Sequence, residues 1–455
     1  MSFFEQDADV VVRWSTAERV AALKRIVPKA AIGVVLRKTG RGKAPCRRLP
    51  RWFVVWFVIV MALLCRDSDQ QVFRWLHRFR KGITPGRSTL CEARHSVGVA
   101  PLRLLAEKLW PEVWTFAALT CAARKAERRK RSRRSTGRFT FFRELELLRL
   151  HEELRDRRYR PEKYRTFFVH EPKRRLISAA PFRDRVVHHA LTTVLEPIFE
   201  RAFVFDSYAC RVGKGTHAAV RRCQEFAKKF PVVLKADIRK FFPSIDHQIL
   251  KRLIRRKIKD RDVLWLCDVI IDHSNPQEPV LDWFPGDDLL SPSERRRGVP
   301  LGNQTSQFFA DVYLDPLDHF VTEQLRPGGY IRYVDDFLVF ARTKMELCDC
   351  QRRIAEFLAT LRLKPHPKKN VIFPVRCGIP FLGYRVFPTH RLLAKSNLRR
   401  FWKRVRRMQS AFREGRITLP KIRQRIMSWL GHARQANSQR LIRRLLREIT
   451  FAKHP

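Results

Sequence analysis

Asp335 and Asp336 stand side by side in GGYIRYVDDFLVFARTK (residues 328 to 344), a stretch otherwise rich in β-branched and aromatic residues. Adjacent like charges raise each other's energy, and a bound cation is one reason to keep them together. Ile331 to Val334 and Phe337 to Phe340 are expected as two strands joined by a tight turn that carries the acids at its tip. A solvated acidic turn is the plain alternative for a lone pair. A third acid argues against it: in VVLKADIRKFFPSIDH (232 to 247) the apolar run Val232 to Ala236 ends at Asp237 and is followed by Phe241 and Phe242. Enough chain separates Asp237 from Asp335 for intervening helices, so the two strands can lie side by side and three acids can share one site. Two Mg²⁺ ions about 4 Å apart would make such a cluster favourable, activating an attacking hydroxyl and stabilising a leaving phosphate oxygen. That is nucleotidyl-transfer chemistry.

Composition points the same way. Lys and Arg number 94 against 44 Asp and Glu, a formal net charge of +50 with a pI near 11.1, and the natural partner of such a chain is a polyanion, most commonly nucleic acid. With 455 residues and 45% hydrophobic composition, the chain can bury substantial cores over two to four domains, which sets it apart from a disordered basic tail. The 10 cysteines include no Cys-x-x-Cys pair, so neither a zinc ribbon nor a disulfide framework is indicated, and reduced, mostly buried thiols in a cytosolic protein are expected. Trp52 to Cys65 is apolar but shorter than the roughly 20 residues a spanning helix needs, and it lacks a signal-peptide arrangement. A buried core helix and no membrane partner are expected there.

The elements that must position the acids follow from periodicity. Residues 1 to 117 read as mainly helical, with Pro101 at a helix start and Leu102, Leu105 and Leu109 at helical spacing behind it. RKAERRKRSRR (124 to 134) reads as a solvated linker or phosphate-binding arm, within a basic linker at 118 to 138. FTFFRELELLRLHEELRD (139 to 156) reads as one amphipathic helix. Strands and helices alternate from Tyr164 to about Tyr384, and the last sixty residues return to helix, with Phe401, Val405, Met408 and Phe412 forming one apolar stripe among basic residues.

YVDD (333 to 336) together with ADIRKFF (236 to 242) resembles the two catalytic motifs of reverse transcriptases, and further motifs follow in order over about residues 135 to 455. EPKRRLISAAPFRDRVVHHAL (171 to 191) resembles the fingers segment, LGNQTSQ (301 to 307) the template-contacting loop, KPHPKKN (364 to 370) the basic motif after the hairpin, and FLGY (381 to 384) the primer grip. The resemblance implies an α+β right-hand polymerase, with fingers and palm at 139 to 390, a helical basic thumb at 391 to 455, and an additional helical N-terminal domain at 1 to 117. It implies Asp237 and Asp335 as main ligands of two Mg²⁺ ions, the Ile238 carbonyl assisting and Asp336 supporting the pair. It places Phe242 as the steric gate against a 2′-hydroxyl. Lys173 and Arg175, with Arg185 as a third, would hold the triphosphate, and Leu301, Gly302 and Gln307 would face the nascent pair. Lys369, or the adjacent Lys368, would protonate the leaving pyrophosphate, and Phe381, Leu382, Gly383 and Tyr384 would form the primer grip. Template RNA, an RNA–DNA hybrid and deoxynucleoside triphosphates (dNTPs) are the implied partners.

One departure refines this. The usual loop begins with Gln and ends Ser-Pro, whereas Leu301 and Gln307 stand here. That pattern, with DSYACRVGKGTHAAV (206 to 220), WFPGDDLLSPSERRRGVPLGNQTSQFFADVYL (283 to 314) and SWLGHARQAN (428 to 437), resembles the reverse transcriptases of diversity-generating retroelements. That family copies a template RNA with frequent errors at adenines and works with a small basic accessory protein. Leu301 as simple packing, a group II intron or retron enzyme, and a basic binding protein without catalysis are the competing readings. RRLPRWFVVWFVIVMALLCRDSDQQVFRWLHRF (47 to 79) with RSTLCEARHSVGVAPLRLLAEKLW (87 to 110) resembles the N-terminal domain of family-four insertion-element transposases. The catalytic acids of that family belong to a later domain, so no transposase chemistry is expected; a DNA-binding domain and a passive helical scaffold both remain open.

Overall fold

A computed structural model of the chain describes residues 29–38, 55, 114–128, 134–170, 174–275 and 277–452. Two compact units result, one of residues 1–115 with 259–263, the other of 116–258 with 264–455. In the first, helix α1 (Lys29–Lys38) buries Ile32, Val35 and Leu36 at helical spacing, and Val55 and Trp114 are buried too. The expected helices at Trp52 to Cys65 and behind Pro101 otherwise lie outside the described residues. Among those residues no helix is long and apolar enough to cross a membrane.

The second unit opens with α2 (Phe116–Glu127), α3 (Arg134–Phe141) and α4 (Arg143–Arg155). Helix α2 corrects the linker expected at 118 to 138. Leu119, Ala122, Ala123 and Ala126 make a buried stripe that packs on α5 (Phe182–Glu200), and the alanines are strong helix formers that allow close approach. The single helix expected over 139 to 156 is two, broken at Phe142, whose backbone leaves the helical region. Strands β1 (Arg165–Val169) and β2 (Arg175–Ala179) form an antiparallel hairpin ahead of α5. Beyond α5 come α6 (Thr216–Lys229), β3 (Val232–Asp237), α7 (His247–Lys257) and α8 (Arg261–Asp272). Asp246 caps α7 by accepting from the Ile249 amide at 3.0 Å.

Helix α9 (Gln304–His319) is buried on nearly every side, from Thr305 through Phe309 and Tyr313 to Asp318, which makes it the central helix of the unit. It leads to β4 (Gly329–Tyr333) and β5 (Asp336–Ala341), then α10 (Lys344–Thr360), capped by Thr343, and β6 (Val371–Pro374). The sheet runs β4-β5-β3-β6, all antiparallel. Val233, Ile331, Leu338 and Phe340 pack against Ala219, Val220, Cys223 and Phe226 of α6. The Phe226 ring lies so close to β4 that a side chain at Gly329 would meet it at 2.5 Å, which is why glycine stands there.

A second sheet of β7 (Ile379–Phe381), β8 (Tyr384–Val386) and β9 (Arg391–Leu393) shares that core. Helices α11 (Lys395–Arg413), α12 (Leu419–Ala433) and α13 (Gln439–Arg447) follow. The expected stripe Phe401, Val405, Met408 and Phe412 is buried with Ile417 and Ile422, and Phe401 stacks on Trp429 at 3.6 Å between ring centroids. Residues 391–393 pair as strand β9, so the helical part begins at Lys395 rather than at 391. This is the right-hand arrangement: fingers carrying β1-β2, a palm built on the four-stranded sheet, and a thumb of α11–α13.

Candidate active site

Register brings the acids together. Tyr333 pairs with Asp336, which leaves Val334 and Asp335 as a two-residue turn, and Asp336 in turn pairs across β5 and β3 with Asp237. Directly paired residues project from the same face of a sheet, so Asp237 and Asp336 are neighbours and Asp335 stands at the tip beside them. The Asp335 carbonyl accepts from the Ile238 amide at 3.3 Å, tying the turn to the end of β3. Val334 holds φ of 59°, a left-handed conformation that a β-branched residue resists and that recurs where function fixes the backbone.

Burial and mutual repulsion load the cluster. Burial, with the Asp237 charge adding, raises the Asp335 carboxyl above its ordinary range. Burial also pushes Asp336 up to about 6; Lys235 opposes the rise, while Asp237 and Asp335 reinforce it. Two lysines partly offset the charge: Lys369 Nζ donates to Asp237 Oδ2 at 2.6 Å, and Lys235 Nζ lies 3.4 Å from Asp336 Oδ2 while donating to the Pro380 carbonyl at 2.6 Å. The buried Asp336 Oδ1 has no hydrogen-bond partner. The three carboxylates are hard oxygen donors, a set suited to a hard divalent cation. Among the described residues no group of three His, Cys, Asp or Glu side chains is already arranged to hold a metal ion.

The basic motif reaches this site because its backbone is fastened to β3. The Arg239 amide donates to the Lys364 carbonyl at 2.9 Å, the His366 amide to the Asp237 carbonyl at 2.7 Å, and Ile238 bridges Pro365. Of the two candidate lysines, Lys369 touches an acid, whereas the Lys368 amide donates to the His366 ring at 3.2 Å. Downstream of Asp237 the phenylalanines divide. Phe241 is buried against Tyr313, and the less buried Phe242 meets it edge-on at 5.5 Å.

Loop and fingers are joined by hydrogen bonds. The Ser178 amide donates to the Leu301 carbonyl at 3.1 Å, and Asn303 both accepts from the Ala180 amide and donates to the Ser178 carbonyl at 3.0 Å. Gly302 holds φ of 109° with β2 Ile177 against it. The stretch expected as one loop is a loop only to Asn303; Gln307 lies in the first turns of α9, where its side chain accepts from the Cys210 thiol at 3.6 Å. Strand β2 starts at Arg175, whose charge acts on Asp335. Lys173 lies outside the described residues. Arg185 donates from Nε to the Ala180 carbonyl at 2.8 Å, at the start of α5. In FLGY, Phe381 and Tyr384 are buried, and Leu382 and Gly383 form the two-residue turn at φ of 46° and 89°. Tyr384 donates to the His432 carbonyl of α12 at 2.8 Å. Lys235 and Asn303 contact the site residues and were not revealed by the motifs; a charge at an inward strand position and an asparagine directly after the loop glycine were the available signals.

Residues 169–386 match the family described as reverse transcriptase (RNA-dependent DNA polymerase), and residues 17–107 match the insertion element 4 transposase N-terminal family. Protein YkfC of Escherichia coli is 25% identical over 285 residues, 53% of this chain and 71% of that protein. Nuclear intron maturase 1, mitochondrial, of Arabidopsis thaliana is 30% identical over 94 residues, 21% of this chain and 13% of the relative. Group II intron-encoded protein LtrA of Lactococcus lactis is 26% identical over 185 residues, 40% and 29% of the two chains. Among solved structures, apo telomerase from Candida tropicalis aligns over 51% of this chain and 55% of its own at 16% identity and a TM-score of 0.37. The segment 169–386 is a reverse transcriptase domain, an RNA-directed DNA polymerase by family, and the acids described above lie within it.

Proposed function

We propose that the whole chain copies a template RNA into cDNA, with Asp237 and Asp335 as the main ligands of two Mg²⁺ ions, Asp336 at their side and the Ile238 carbonyl assisting. The carrying observation is the pairing of Asp237 with Asp336 beside a turn that holds Asp335. Metal bound there supplies activation of the primer 3′-hydroxyl and charge stabilisation at the transferring phosphate. The chain's own groups do the rest. Lys369, already on Asp237, gives a proton to the leaving pyrophosphate; Arg175 and Lys173 hold the triphosphate, with Arg185, whose Nε donates to the Ala180 carbonyl just past the other end of β2, as a third. The less buried Phe242 ring lies under the sugar and rejects a 2′-hydroxyl. Leu382 and Gly383 support the primer end, and the arginines and lysines of α11–α13 grip the RNA–DNA hybrid through its phosphates. The test is extension of a DNA primer on a defined RNA template with dNTPs and Mg²⁺; no extension overturns the reading.

Within this class the retroelement reading rests on Leu301 and Gln307, which lack the amide and the rigid proline usual there. It expects errors concentrated opposite template adenine, reduced by Leu301→Gln. The group II intron reading is favoured by the intron-encoded relatives. Sequencing cDNA made on a template with all four bases separates them: error rates equal at adenine and elsewhere support the intron reading. The N-terminal segment is proposed to add no transposase chemistry.

A further inference from the structure

Arg332 is fully buried in strand β4, two residues before the turn that carries Asp335. A guanidinium has five N–H donors, and all five are engaged. Nε and Nη2 fork onto the two oxygens of Asp318, each at 2.7 Å. Nη2 also reaches Ser207 Oγ at 3.1 Å, and Nη1 reaches Asp311 Oδ1 at 3.0 Å. The fifth donor goes from Nη1 to the carbonyl of Val334 at 3.1 Å, the residue whose φ of 59° makes the turn. Asp311 and Asp318 both belong to α9, the helix that follows the 301–303 loop, and Tyr330 adds a hydrogen bond to Asp318 at 2.7 Å. A strained turn keeps its shape only where its surroundings over-determine it. Here one buried side chain, clamped to α9 and to Ser207, acts on the turn together with the Ile238 amide that holds the Asp335 carbonyl.

We infer that Arg332 is a positioning residue for the metal site: clamped by Asp311 and Asp318, it holds the Val334 carbonyl and so presents Asp335 to the cation. The inference rests on the polymerase reading and adds to it the device that sets the turn. A lysine keeps the charge but has one nitrogen, which cannot fork onto Asp318 and reach Val334 together. The clamp therefore predicts a defect in metal binding that charge retention does not rescue.

The experiment titrates the full-length protein with Mg²⁺ and reads the rise in unfolding temperature, with primer extension in parallel. Arg332→Lys is expected to need at least tenfold more Mg²⁺ than the wild type for half the rise, and to lose kcat at saturating Mg²⁺ with an unchanged KM for primer–template. Asp311→Asn, which loosens the nitrogen that holds Val334, is expected to need severalfold more. Arg295→Lys is the control, because Arg295 is a largely enclosed arginine paired with two aspartates, Asp246 and Asp287, away from the turn; it should lower the unfolding temperature and leave the Mg²⁺ requirement unchanged. A folded Arg332→Lys protein whose requirement stays within twofold of wild type overturns the inference. If that variant does not fold, Asp311→Asn decides on the same criterion. A wild type that extends primers while Arg332→Lys keeps its Mg²⁺ requirement fails the clamp alone; a wild type that neither responds to Mg²⁺ nor extends primers fails the polymerase reading with it.

Discussion

Asp237→Asn or Asp335→Asn removes a charge that the cation would neutralise, and primer extension should fall by more than about a hundredfold, the scale of losing one fixed electrostatic partner in a water-poor site. Binding to RNA–DNA hybrid, measured by filter retention, should stay close to wild type because it comes from dispersed lysines and arginines. Polymerisation retained in either variant would remove both residues from the metal site. Phe242→Ala should raise ribonucleotide incorporation relative to deoxyribonucleotide incorporation in a competition assay, whereas Phe241→Ala should leave the ratio alone and cost about 3–5 kcal/mol of stability, because its ring is core against Tyr313. An unchanged ratio for Phe242→Ala would show that another group makes the gate. The acids and the two phenylalanines were legible in the sequence because charge inside an apolar run is locally odd. The division of labour between Phe241 and Phe242 was not, since the ring that buries one of them, Tyr313, is far along the chain. Arg332, Lys235 and Asn303 escaped for the same reason: each is explained by partners that only folding brings near.

At the scale of elements, hairpins were the most readable features and linkers the least. The β4-β5 and β3 strands follow from runs of Val, Ile and Phe, with the structure moving Val334 into the turn and Asp336 into the strand. Helix α2 was hidden because its arginines and lysines draw the eye, while small alanines form its buried stripe. The FLGY turn has φ positive at both Leu382 and Gly383, the conformation of a tight hairpin that suits right-twisted strands and asks for glycine. A side chain at Gly383 would meet His432 Nε2 at 3.2 Å and Asn397 Nδ2 at 3.4 Å, both on the thumb. Gly383→Val adds a β-branched residue at φ of 89° to that crowding, so we expect a loss of about 1–3 kcal/mol in urea unfolding. It should also raise the KM for primer–template while leaving Mg²⁺ dependence unchanged, because the turn joins palm to thumb and touches no acid. An unaltered KM would separate this hairpin from primer binding.

For the whole molecule, net charge and burial set the response to acid. A formal charge of +50 means that added protons increase self-repulsion at every pH, so specific groups must be read against that background. Asp311 and Asp336 are each pushed up to about 6, chiefly by burial. In the absence of metal they take up protons in the native state before the unfolded chain does, so they favour folding as pH falls toward about 4, and this contribution is lost as pH rises through about 6. His188 acts in the opposite sense. Burial, with nearby His189, Arg185 and His273 charges, lowers its imidazole to about 3. The unfolded chain, with an ordinary value near 6.5, binds that proton first, so native stability is lost as pH falls below about 6.5. Between pH 7 and 5 this one group should cost ~2 kcal/mol. His188 is fully enclosed within α5 and its Nδ1 has no hydrogen-bond partner, so His188→Leu replaces it without stranding a polar neighbour at that atom. Urea unfolding of wild type and His188→Leu at both pH values, without divalent metal, isolates the term: both proteins share the carboxylate contribution, and the variant should lose ~2 kcal/mol less than the wild type on acidification. Equal losses would show that His188 is protonated in the folded state and that the acid response arises elsewhere.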